Sequence, residues 1–470
     1  MRVVAFRKRL MYNKKVRKMM SLLLMTAMTV SLAAGCGGKK DEPKEDGKKG
    51  SGTESEADTG GYSGELVVSI HDQLNNPAVV EALDYLQTTE KWKNVSFDIM
   101  PKDQEYEVNL PIQVMGGKQI DVMYNFNPIE QDKNSSAGTI VPIGEYLDEL
   151  GIDLEERYGS YASAAYNGDE AYAIPGGVTA WGLFYNKSIF DEAGVEYPDP
   201  KVPMTWSEYR ELAKKLTKGE GADKTYGALH LQWPMYWYGE AIMELGGGQN
   251  FYNEEGLSNF EDPVFKKALE AAYQMQNVDK STPTMADIIA RKIEPDGFFN
   301  GKYAMYLHGT WFLNWLADKE TYPRDYEVGF APMPVPDGTT DRLTWGVTGT
   351  YAVPATSKDP KMATDFIVDL VAEVTQRTSS EIFVDQTVPR DNLFVTIADE
   401  IDDEQFTTEN IMDLFLNPDQ TLVTEKVTGP NAAKYEAVLK EEVEKYLADA
   451  QDLDTTIKNA VERGNKAIQE

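Results

Sequence analysis

The chain of 470 residues contains one cysteine, Cys36, and three histidines, His71, His230 and His308. A single cysteine excludes an intramolecular disulfide and any cluster held by thiolates, so the folded part depends on its core alone. The histidines lie far apart in the sequence, without H-E-x-x-H or another paired spacing, and give a metal site or metal cofactor no support. Basic residues are also scarce. There are 46 Lys and Arg against 77 Asp and Glu, a formal net charge of −31. Such a surface repels phosphate backbones and anionic headgroups, so nucleic acid is not an expected partner. The G-x-S-x-G, P-loop and dinucleotide fingerprints are missing. Gly246-Gly247-Gly248 lacks the Lys and Ser or Thr of a phosphate-binding loop and reads as a helix stop. No internal repeat is visible, which argues against a structural adhesin.

Much of the positive charge is gathered at the start. Arg2, Arg7, Lys8, Arg9, Lys14, Lys15, Arg17 and Lys18 precede an apolar run, Met19 to Ala34, too short to span a membrane comfortably as a mature helix. Without residues 1–35 the chain has 38 basic residues against 77 acidic ones, a net charge of −39. The run ends in Leu32-Ala33-Ala34-Gly35-Cys36. This resembles a bacterial lipoprotein signal, which implies a signal peptide over 1–35 and a lipid on Cys36; Ala33 stands where that pattern carries Leu. An uncleaved anchor is the alternative, and the small residues closing the run favour cleavage. Residues 36–61 are mostly Gly, Ser, Lys, Glu and Asp. With little to bury they are expected to form a flexible tether with a root-mean-square reach of about 25–30 Å.

The remaining length exceeds what one core usually organises and points to two lobes. Glu65 to Ile70 reads as a buried strand and Pro77 to Glu90 as a helix with Val79, Val80, Leu83 and Leu86 on one face. Val95 to Ile99 then alternates with period two, completing a parallel crossover unit. A helix from Asp103, interrupted at Pro111, leads to a strand over Ile120 to Tyr124. Ligands in parallel sheets sit beyond the carboxyl ends of strands. That rule selects His71, Gln73 and Asn75 after the first strand, and Asn125 and Asn127 after the third. Their amides have the donors and acceptors a polyol needs, although the same residue types also serve turns.

Tyr172 to Trp206 carries Ile174-Pro175-Gly176-Gly177, which predicts a bend, followed by Trp181 and the apolar Leu183-Phe184-Tyr185. Thr205 with Glu208 forms a capping box for a helix reaching about Lys218. Tyr226 to Leu229 reads as a strand, and the densest aromatic run of the chain follows it: Trp233, Pro234, Tyr236 and Trp237. A pyranose face bears C–H groups and its rim hydroxyls, so rings beside amides make a sugar site. The competing reading is a helix whose Trp233 and Trp237 pack into the core. Asp262-Pro263 opens a core helix with Phe265, Leu269, Ala272 and Met275 inward. Trp345 to Val353 reads as a strand pair whose glycines allow a ligand to approach, with Trp345 either a stacking ring or an edge-strand anchor. Asp359-Pro360 starts an amphipathic helix, and Ala433 to Leu447 is a scaffold helix.

Tyr172 to Trp206, Phe298 to Trp311 and Glu327 to Leu370 closely resemble the signatures of the family 1 extracellular solute-binding proteins, which include maltose-binding relatives. The resemblance covers most of residues 62–470. It implies an α/β, two-lobed periplasmic-binding-protein-like fold of type II, with discontinuous lobes joined by a hinge. The boundaries it suggests are 62–177 for lobe 1, 178–328 for lobe 2, 329–371 for the return to lobe 1, and 372–470 for C-terminal helices on lobe 2. It also implies that the Gly309-Thr310-Trp311 tip points into the cleft, that Trp311 stacks on ligand, with Trp315 four residues on explained by packing, and that Gln386 contributes a further cleft residue. The expected function is that of a monomeric, cofactor-free receptor that hands a carbohydrate to an ATP-driven permease. The rival is a secreted glycoside hydrolase or lyase using two carboxylates; among 77 acidic residues no pair stands out.

Overall fold

The computed structural model describes residues 61–470, apart from 104–105, 378–381, 383–384, 390–393 and 418. The signal run, Cys36 and all of the tether except Gly61 lie outside the described residues. Among the described residues no helix is long and apolar enough to cross a membrane.

Eleven strands are present among the described residues: β1 (Ser63–Ser69), β2 (Asn94–Ile99), β3 (Val122–Asn125), β4 (Tyr166–Asn167), β5 (Glu170–Ala171), β6 (Ala173–Asn186), β7 (Tyr226–Leu229), β8 (Tyr303–Gly309), β9 (Val328–Ala331), β10 (Arg342–Ala352) and β11 (Gln420–Val423). All but the β4–β5 hairpin belong to one nine-stranded sheet in the order β2-β1-β3-β10-β6-β8-β7, with β9 paired to β6 and β11 to β10. The sheet contains two parallel clusters, β2-β1-β3 at one end and β7-β8 at the other. Each needs crossover helices to cover its faces. The long strands β6 and β10 lie antiparallel to one another and to the clusters they join.

Each cluster follows from local sequence. Leu66, Val68, Val79, Leu83 and Leu86 are buried on the β1–helix unit, and Phe366, Ile367 and Leu370 of helix Pro360–Arg377 close over it. Full burial of such side chains contributes about 1.5–3 kcal/mol each. Trp92 seals this corner, with its indole N–H donating to Asp369 at 2.7 Å and its ring stacked on Tyr62. Among the described residues four helices begin with an Asx-Pro pair: Asn76-Pro77, Asn127-Pro128, Asp262-Pro263 and Asp359-Pro360. In each the Asx side chain accepts a backbone N–H inside the first turn, where the proline has no N–H to leave unpaired. The Thr205–Glu208 capping box forms as its residues predict.

Three local expectations are corrected. Ile174 to Gly177 makes no turn: β6 is continuous, and its register with β10 jumps from Gly349↔Gly177 to Thr350↔Pro175, leaving Gly176 as a bulge. Gly176 is needed because a Cβ there would come within 2.6 Å of the Tyr351 ring. Trp345 to Ala352 lies in the single strand β10, not in a pair, and its glycines admit protein groups. A Cβ at Gly349 would meet the Tyr124 hydroxyl at 1.9 Å, and one at Gly346 would meet Leu422 and the Thr179 carbonyl at 2.2 Å. Helix Tyr106–Met115 continues through Pro111, which is buried within it.

Candidate functional site

The strand ends define two walls. On β6 the level of the β3 end lies near Pro175–Gly177, since Thr350 pairs with both Asn125 and Pro175. The β8 end lies at Trp181, which pairs with Gly309. The stretch between, Gly177 to Trp181, spans about 13 Å at roughly 3.3 Å per residue. Within it the half-buried Thr179 and Thr348 make a floor. The parallel clusters therefore direct their carboxyl ends toward opposite sides of one gap, where ligands of parallel sheets sit.

The first wall is built by β1, β2 and β3. His71, just past β1, holds a positive φ of 38°, a strained conformation for a residue with a side chain. The Asp103 N–H donates to His71 Nδ1 at 3.1 Å, which places the hydrogen of the neutral ring on Nε2. The imidazole stacks on Tyr106 and meets the edge of Phe126. Three strand-end loops thus converge on one ring. Gln73 is buried nearby, with the Tyr351 hydroxyl 3.5 Å from its Oε1.

The other amides of this wall have structural work. Asn125 has no exposed surface; it donates to Thr350 Oγ1 at 3.2 Å and accepts from Asn134 at 2.8 Å. Asn127 caps helix Pro128–Ser136 by accepting from the Ile129 and Glu130 N–H groups. Asn75 is exposed and accepts from the Lys102 amine. Gln386 sits in an exposed turn, where its N–H donates to the Arg157 carbonyl, and the turn is anchored by the Arg157–Asp385 ion pair at 2.7 Å.

The second wall is aromatic. A series of near-parallel rings runs Tyr209, His230, Tyr236, Trp233, His308, Tyr306 and Phe298, with neighbouring centroids 4.5–6.0 Å apart and planes within 23°. Trp181 stands edge-on to it, touching Trp233, Tyr236, His308, Trp311 and Trp345 at 5.5–6.1 Å. Edge-to-face contacts at these distances are favourable. Of the rings singled out in the sequence, Trp233 and Trp311 are half-buried, whereas Trp181 is buried. Trp311 lies across Gly309, where a Cβ would come within 1.8 Å of its ring. Tyr236 is tied inward by its hydroxyl, which donates to the Leu307 carbonyl at 2.7 Å.

Two of the expected stacking rings are corrected to core positions. Trp345 is fully enclosed, stacked on Trp206, with its indole N–H 3.3 Å from the Gly239 carbonyl. It is not an edge anchor either, because β11 pairs alongside it. Trp237 is buried in helix Met235–Leu245. The strand-end rule selects His71 but passes over His230 and His308, although each of the three stands at or just past the carboxyl end of β1, β7 or β8. The signal was available, since His230 directly follows the Tyr226–Leu229 strand. Burial pushes His230 down to about 3, with its Nε2 3.0 Å from the Tyr209 hydroxyl, and lowers His308 well below the ordinary imidazole range. Among the described residues no group of three or more His, Cys, Asp or Glu is placed to hold a metal.

The two sides of the gap also touch at its rim. Helix Pro128–Ser136 packs against helix Ala432–Leu447. Beside it, burial and then the neighbouring Glu107 push the Glu130 carboxyl well above the usual range, while Lys426 pulls the other way.

Paired parallel clusters linked by two long antiparallel strands, with a gap walled from both sides, define an α/β periplasmic-binding-protein fold and a receptor for a solute. The chain belongs to the bacterial extracellular solute-binding protein family, whose model matches residues 76–372. Its members bind without chemical conversion, which sets aside the hydrolase or lyase rival. The chain is 25% identical over 365 residues to the diacetylchitobiose binding protein of Streptomyces coelicolor, covering 75% of this chain and 77% of that one. It superposes on a sugar transporter from Rhizobium etli in an open conformation with a TM-score of 0.64 and 25% identity, covering 86% of this chain and 99% of the other. On a substrate-binding protein of Listeria monocytogenes in complex with cycloalternan the TM-score is 0.69 at 18% identity, covering 87% and 100%. The protein is thus an extracellular solute-binding protein.

Proposed function

We propose that this chain is a lipid-anchored receptor that binds an oligosaccharide between its lobes and presents it to a membrane permease. The observation that carries the reading is the aromatic wall facing the gap, with half-buried Trp233 and Trp311 on it and His71 and Gln73 opposite. Rings offer a face to pyranose C–H groups, while amide, imidazole and the floor threonines offer donors and acceptors to the rim. The lobes are 62–177 with the return segment 329–371, and 178–328 with 372–470. The pairing of β9 with the far half of β6 supports moving the return from 329 into β10. Sugar bound to both walls favours the closed form, shifting a two-state population toward what the permease recognises. The receptor acts as a monomer without a cofactor.

A thermal-shift screen of mono- and oligosaccharides tests this, because a tight ligand raises the melting temperature. Recovery of the sugar unchanged is expected; a panel with no shift removes the carbohydrate reading. For the anchor, Cys36→Ser is expected to move the protein from the membrane to the soluble fraction, and unchanged membrane association refutes a lipid on Cys36.

A further inference from the structure

At the base of the aromatic wall, hydrogen-bonding atoms are enclosed without partners. Trp181 Nε1, both ring nitrogens of His308 and Thr310 Oγ1 are all buried and unbonded. The three residues lie together: Trp181 pairs with Gly309, and the Thr310 N–H donates to the Ala180 carbonyl at 2.9 Å. The Trp181 and His308 rings are in contact, 5.8 Å apart and perpendicular. Other unpartnered buried atoms among the described residues occur one to a side chain. Here four fall within two strand positions, under the two half-buried rings Trp233 and Trp311.

Leaving such atoms unmet is costly, and the set has a definite chemistry. A neutral imidazole carries one donor and one acceptor, the indole a donor, and the hydroxyl either. Their complement is an uncharged group that both accepts and donates. The surroundings are apolar, since Trp311, Phe312 and Trp315 also line the imidazole. A secondary amide meets both conditions: its carbonyl accepts, its N–H donates, and an attached methyl packs against rings. A lone hydroxyl satisfies the polar atoms and leaves the apolar lining unused. A carboxylate or phosphate would be desolvated against rings with no cation to pair with.

We propose that Trp181, His308 and Thr310 form a buried subsite for the acetamido group of an N-acetylated sugar, reached by rotation of the Trp233 and Trp311 rings. This rests on the carbohydrate reading above and narrows it to amino sugars acylated on nitrogen.

The test uses full-length protein in detergent, titrated calorimetrically with N,N′-diacetylchitobiose and with cellobiose, which differ in the acetamido groups. Wild type is expected to bind the acetylated disaccharide about 10- to 100-fold more tightly. His308→Phe keeps a ring in the stack and removes both nitrogens. It is expected to abolish that preference and to raise the melting temperature of the free protein because unmet polar atoms are gone. Equal wild-type affinity for the two sugars overturns the inference, as does a preference that survives His308→Phe. A drop in melting temperature with the preference intact would show that internal water already serves the imidazole. If neither these nor any other sugar binds wild type, the carbohydrate reading itself fails.

Discussion

Trp311 and Trp345 touch the same indole, Trp181, yet the structure assigns them opposite energetic roles. Trp345 is fully enclosed, with its N–H directed to the Gly239 carbonyl and its ring against Trp206. Helix Met235–Leu245 is shaped around it, since a Cβ on Gly239 would stand 1.9 Å from the ring. Trp345→Ala therefore opens a cavity that this packing cannot refill, at a cost of about 3–5 kcal/mol. Trp311 is half-buried. A whole indole buries about 150–250 Å², and half of that at about 25 cal/mol/Å² puts the stability loss of Trp311→Ala near 2–3 kcal/mol at most. Partial exposure to begin with lets neighbours and solvent fill the space, so about 1–2 kcal/mol is expected. Its loss of sugar stacking and burial is expected to add about 1–3 kcal/mol of affinity, or roughly 5- to 150-fold in Kd. Urea unfolding and calorimetric titration of both variants give the ratio of affinity loss to stability loss. That ratio should be high for Trp311 and low for Trp345. If Trp311→Ala destabilised the fold as much as Trp345→Ala and left affinity unchanged, Trp311 would be core and the aromatic wall would lose its outermost ring.

Two further predictions concern pH. Glu425 is buried near Gly346, and burial pushes its carboxyl up to about 7. A raised carboxyl means the folded state holds a proton that the unfolded chain has released; that stability is full below about 4.5 and is lost as pH rises through about 7. Glu425→Gln should thus raise the melting temperature above pH 7 and gain progressively less toward pH 4.5; a lower melting temperature at pH 8 would contradict the assignment. Glu442 is the opposite case. Burial alone would raise it, but hydrogen bonds from Lys445, Gln451, Asn459 and Arg463 hold it at about 2. Its contribution is present above about 4.5 and lost as pH falls through about 2, so the destabilisation caused by Glu442→Gln should be largest near neutrality and shrink across that window. A difference independent of pH would show that the network holds without the charge.

What could be read from the sequence divides along a physical line. Elements set by local chemistry were legible: the Asx-Pro helix starts, the Thr205–Glu208 box, the Gly246 stop and the period-two strands all depend on residues within a few positions of one another. The family signatures added the lobed α/β architecture. Side-chain roles at the gap were less legible, because an asparagine after a strand looks the same whether it faces ligand or caps a helix. Asn127 is followed by Pro128, which was the available sign that it would cap. Asn125 carried no such sign, because Asn134 and Thr350 reach it only in the fold. Trp345 could not be separated from Trp311 by sequence spacing, since what encloses Trp345 comes from Gly239 and Trp206, more than 100 positions away. The bulge at Gly176 was hidden for the same reason: the Tyr351 ring that requires it lies on another strand.

Trp181 is where these observations meet. It belongs to β6, one of the two strands shared by both clusters, and at the same time contacts rings following β7 and β8 and the core ring of β10. Its backbone N–H and carbonyl are both engaged by the Thr344 hydroxyl, at 3.1 and 2.6 Å, which locks β6 to β10 at this level. A ligand that displaced Trp233 or Trp311 would press on Trp181, whose ring is in contact with both and with the Trp345 ring of β10. Because packed interiors are dense, such a displacement is transmitted to the strands rather than absorbed. On the receptor reading proposed above, the indole would couple occupancy of the gap to β6 and β10, the differential contact that a population shift between two forms requires.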